Sequence, residues 1–150
     1  PILSENRKKV LCAKFPDHYD FRQNMPNHII ALMKLETISR ALWGRNCQPK
    51  PDGEGSKVYW YPRFALWTKK AVEDMNPEQR GALLSATAPY GASAGFGFLS
   101  TYLRSSSAIA NSGFRLCQET EEKAKYFGQQ FIELWAEYLK FNFSVGNRLK

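Results

Sequence analysis

With 150 residues, 43% of them hydrophobic and 14% aromatic, the chain can bury one core and is short for two, so one domain over 1–150 is expected. A formal charge of +7 favours polyanionic partners and disfavours basic ones. No apolar run approaches the roughly 18 residues of a membrane-spanning helix, so no membrane partner is expected.

The first element with clear punctuation is a helix over Asn27–Trp43. Pro26 and Asn27 are start signals and Gly44 is a natural C-terminal cap. Lys34, Thr37 and Arg40 form its polar stripe, while Leu32, Leu35, Ile38 and Leu42 lie away from it. Residues 45–57 mix prolines, glycines and charges and read as an exposed loop. Residues 58–61 form a short extended piece, and Pro62 is expected to open a helix over 62–75, as proline suits a first helical turn. Asn76 then caps a further helix with Pro77 at its first position, ending before Pro89. Residues 91–97, rich in glycine and serine, are expected to make a turn or a close-packed helix start, and residues 98–111 are expected to be helical up to Gly113.

The strongest periodicity is C-terminal. Cys117, Thr120, Ala124, Phe127, Phe131, Leu134, Tyr138 and Phe141 recur at alternating three- and four-residue steps on one side of a helix, which Ile132, Trp135 and Leu139 widen, with Gly146 as its stop. Glu119 with Lys123 and Glu121 with Lys125 are favourable four-apart pairs on the other side. Together these elements predict an all-α fold, a single-domain bundle of about five helices organised by a long amphipathic C-terminal helix.

Several patterns that could carry chemistry fail their context. Gly91, Ser93 and Gly95 have the spacing of a hydrolase nucleophile elbow, but both histidines, His18 and His28, precede the serine and no strand is expected before it. Cys12, His18, His28 and Cys47 lack the compact ligand spacing of structural zinc sites. Three widely separated cysteines, with Cys117 the last, fit neither a disulfide framework nor a metal knuckle. Glu133 and Glu137 share a helical face, where Lys140 makes a solvated ion-paired surface the simpler reading. The expectation is a protein that is not an enzyme, uses no metal or other cofactor, and sits in a reducing intracellular compartment, the cytoplasm.

Charge distribution points to one function class. Residues 1–115 hold 16 Lys and Arg against nine acids, whereas 116–150 hold five of each. Residues 34–70 hold eight basic residues against three acidic, with Tyr59, Trp60, Tyr61, Phe64 and Trp67 interleaved, the ingredients of single-strand binding. Residues 79–118 contain no acid and three arginines. The expected activity is binding of nucleic acid, RNA or DNA, mainly through phosphates. Arg40, Arg45, Lys57, Arg63, Lys69, Lys70, Arg80, Arg104 and Arg115 supply the cations, and Tyr59, Trp60 and Tyr90 supply stacking surfaces. The competing reading is a protein-interaction or homo-oligomeric assembly module that docks through the aromatic face of the C-terminal helix. The three central arginines matter to binding only if they converge with the basic aromatic segment before them.

Overall fold

A computed structural model describes residues 25–44, 49, 57–88, 94–105 and 115–150. In chain order the elements are α1 (Asn27–Trp43), β1 (Val58–Trp67), α2 (Lys69–Glu73), α3 (Pro77–Gly81), β2 (Leu84–Thr87), β3 (Gly95–Ser105), α4 (Glu121–Gln130), α5 (Ile132–Leu139) and β4 (Ser144–Arg148). The strands form an antiparallel four-stranded sheet in the order β1-β3-β2-β4, with helices packed against it. The expected all-α bundle is therefore replaced by a mixed α/β fold.

The largest correction is β1, which occupies most of the stretch read as a helix from Pro62. Apart from Pro62 and Arg63, every residue of VYWYPRFALW is apolar or aromatic, a composition that fits a pleated surface. Pro62 is tolerated because of where its missing donor lies. Trp60 exchanges both backbone hydrogen bonds with Gln118, on the side of β1 away from β3, at 2.9 and 2.7 Å. Successive N–H groups alternate sides, so residue 62 needs no donor toward β3, and proline is acceptable there. Arg63, expected in the first turn of that helix, stands in a strand.

A second correction is β3, where residues 98–111 had been expected to be helical. Phe96 and Phe98 alternate with Gly95 and Gly97, a period of two that belongs to a strand. The glycines let Leu83 lie on the backbone: a Cβ on Gly97 would stand 2.5 Å from the Leu83 side chain. The Asn76 cap is formed, with a reciprocal Asn76–Gln79 capping box, but its helix ends at Gly81 and residues 84–87 become β2. The long C-terminal helix is also two helices. Thr120 caps α4, and Phe131, at φ −111° and ψ 34°, breaks the run before α5. Gly146 lies within β4 rather than ending a helix. The first helix has its expected bounds, and Gly44 supplies the left-handed φ of 81° after it.

Among the described residues, three apolar clusters form the core. Leu35, Phe127 and Trp135 join α1, α4 and α5; Leu84, Ala86, Phe96, Ile132 and Ala136 join the sheet to α5; Tyr59, Tyr61 and Cys117 lie on the other side of β1. Phe64 packs against the first two, with its ring 5.0 Å from Trp135 and 5.6 Å from Phe96. The approach of α4 to the sheet depends on Gly128, where a Cβ would fall 2.6 Å from Pro62 and 2.7 Å from Phe98. Both neighbours are rigid, so Gly128→Ala is expected to lower stability by about 1–3 kcal/mol through overpacking, despite alanine's better helix propensity. Urea denaturation measures it, and an unchanged midpoint would refute the close approach.

Candidate nucleic-acid interface

Alternation along β1 puts Tyr59, Tyr61 and Arg63 on one face, and antiparallel pairing sets them opposite Arg104, Tyr102 and Ser100 of β3. The register then shifts between Arg63 and Phe64, so that Phe64 pairs with Phe98 and skips Leu99. Alternation along β1 lets these two neighbours do different work, while the bulge in β3 keeps Phe98 opposite Phe64. Phe64 turns into the core while Arg63 stays exposed beside the tyrosines.

Tyr102 orders the cations around it. The Arg63 and Arg104 guanidinium carbons lie 5.7 and 5.6 Å from its ring centroid, which places them within about 11 Å of each other. Its ring stacks on Tyr61 at 5.3 Å. Arg63 donates through Nε and Nη2 to the Ser100 hydroxyl at 3.1 and 2.8 Å, which leaves most of its five N–H donors for a ligand. Burial pushes the Tyr61 hydroxyl well above the usual phenol range. Cys117, which also hydrogen-bonds it, and Tyr102 push the same way, against the opposing pull of Arg104. The Tyr61 hydroxyl therefore stays protonated beside Tyr102.

The third cation arrives from the segment before α4. The Trp60–Gln118 bridge ties that segment to the free edge of β1, and α1 clamps it: Trp43 Nε1 donates to the Cys117 carbonyl at 2.7 Å and the Gln118 amide donates to Ser39 Oγ at 2.8 Å. Arg115 is thereby set beside the β1–β3 face, its exposed guanidinium 3.6 Å from Glu36 of α1. The three arginines line one groove of about 700 Å³, together with Tyr102, Tyr138 and an apolar floor that includes Phe64 and Trp135. None of the described residues that line it is acidic.

Comparison with protein-family models, with curated proteins and with solved structures returned no match.

The remaining expected contacts divide by position. Tyr59 is buried against Trp43 at 5.6 Å and is core, not a stacking platform. Tyr59 and Tyr61 are both more buried than Phe64 and Trp67. Trp60 is half-buried, and Lys57 stands exposed at the Arg104 end of the ladder. Arg40 is exposed in the last turn of α1. Lys69 and Lys70 lie on α2, beyond the far end of β1, and Lys69 pairs with Glu73 at 3.9 Å. Arg80 donates to the Met75 carbonyl at 3.1 Å and keeps a buried, unpartnered Nε, as a residue packed locally rather than presented to a ligand. Arg45 and Tyr90 lie outside the described residues, as do Cys12, His18, Cys47, Gly91 and Ser93.

Tyr102 and Tyr138 line the groove but were not among the expected binding residues. Tyr102 shares a strand face with Arg104 two positions on, a relation visible only once β3 is read as a strand; Tyr138 was assigned to a docking seam. Among the described residues no group of three or more His, Cys, Asp or Glu could hold a metal ion, and no helix is long and apolar enough to cross a membrane.

Proposed function

We propose that this protein binds nucleic acid without catalysis, gripping phosphates at the groove between β1, β3, α1 and α5. The observation that carries this is the convergence of Arg63, Arg104 and Arg115 on one concavity with no acidic residue among its described lining. Guanidinium groups match phosphate geometry in a bidentate manner, and a ring that orders two of them reduces the freedom lost on binding. Glu36 is partly buried, but the Arg115 guanidinium it meets at 3.6 Å is exposed, and a long contact with one solvated partner contributes about 1 kcal/mol, so a phosphate can compete for it. The assembly reading stands second, since Phe127 and Trp135 of its aromatic face lie in the chain's own core, with Phe131 and Tyr138 packed against them.

Binding through phosphates releases condensed counterions, so affinity falls with salt. For a single strand, the slope of log affinity against log salt is expected near −0.7 per phosphate contacted, or about −2 for three arginines. Anisotropy titrations of a labelled mixed-sequence oligonucleotide at several salt concentrations measure it. An affinity flat in salt, or no binding at low salt, overturns the proposal.

A further inference from the structure

Resting on the nucleic-acid reading above, we infer that the groove takes an unpaired nucleotide of a single strand, with its base against the apolar wall and its phosphates at the arginine rim. The groove has two chemical zones. Arg63, Arg104 and Arg115 are exposed, whereas Leu32, Leu116 and Trp135 give it an apolar side that a phosphate has no use for. Its volume of about 700 Å³ falls within the ~300–1,000 Å³ typical of sites for small organic ligands and leaves room for a nucleotide. In a duplex that base is stacked and paired, and seating it requires flipping it out; a single strand presents it without that penalty.

The aromatic arrangement also defines what is read. Tyr102 is already engaged by Tyr61 and the two guanidiniums, so the base meets Tyr138 and the aliphatic side chains of α1 and α5. Apart from tyrosine hydroxyls and the phosphate-binding arginines, the named groove side chains carry no group suited to reading a base edge, and the preference among bases is accordingly weak.

The test compares a mixed-sequence single strand, the same sequence annealed to its complement, and a nucleoside monophosphate as competitor, at one salt concentration. The single strand is expected to bind about tenfold or more tightly than the duplex, and the monophosphate to compete only at far higher concentration, since it offers one of the phosphate contacts. Leu139→Glu, which sets a carboxylate in the groove at an exposed position ending α5, should weaken single-strand binding severalfold with an unchanged unfolding midpoint. Duplex binding as tight as the single strand's, and sensitive to Arg63→Ala, overturns the inference and leaves the nucleic-acid reading intact. Competition by the monophosphate at the oligonucleotide's own concentration overturns the single-strand assignment in favour of a free nucleotide. Failure of both polymers to bind removes both proposals.

Discussion

Arg63→Ala combined with Arg104→Ala is expected to weaken oligonucleotide binding about 30-fold and to make the salt slope shallower by about 1.4 for a single strand. A hydrogen bond to a charged group contributes about 1.5–3 kcal/mol when shielded. Both guanidiniums are exposed, so about 1 kcal/mol apiece is the reasonable figure, and 2 kcal/mol corresponds to that fold-change. The domain should stay folded, at a cost to stability of about 1–2 kcal/mol. The double variant loses two contacts to the Tyr102 ring, worth about 0.5–1 kcal/mol each at exposed positions, and the Arg63–Ser100 hydrogen bonds. Titration across salt, with urea denaturation as the control, separates the effects. A variant that keeps the parent's affinity and slope would show that these arginines do not touch the ligand.

The sequence's reach depended on whether a signal was local. The start and stop of α1 rest on Pro26, Asn27 and Gly44, adjacent to the turns they control, and the Asn76 cap lies within three residues of its partner. The strands had no such signal. Pro62 suits both a helix start and an outward-facing edge position, and only the pairing with Ser100, Thr101 and Tyr102, nearly forty residues away, decides between them. Likewise the periodicity of residues 117–141 correctly places Phe127 and Trp135 on a core face, but it carries no mark of the break at Phe131.

The groove follows the same division. Arg63 and its aromatic neighbours stand out as a local cluster, whereas Arg104 and Arg115 join them only through the β1–β3 ladder and the Trp60–Gln118 bridge. Arg80, in the same acid-free stretch, is held apart by its bond to Met75. Composition raised the question of convergence; long-range pairing answered it for two arginines and against the third.

Trp135→Ala is expected to lower stability by about 3–5 kcal/mol, a large share of the ~5–15 kcal/mol typical of a small domain. Trp135 is 5% exposed and packs at ring-centroid distances of 5.0 Å from Phe64 and 5.0 Å from Phe127, so it binds the sheet, α4 and α5 together. Its indole N–H also donates to the Phe127 carbonyl at 3.1 Å, one of the last four carbonyls of α4 and so without an intrahelical donor. The break at Phe131 and the placement of Trp135 are thus one device, in which the side chain of the second helix caps the end of the first. Trp135→Phe keeps most of the ring contact and loses that hydrogen bond, and is expected to cost about 1–2 kcal/mol. Urea denaturation of the two variants ranks the contributions. Equal losses would assign the effect to the hydrogen bond, whereas a Trp135→Ala loss below about 1 kcal/mol would contradict the packing of Phe64 and Phe127 around this side chain.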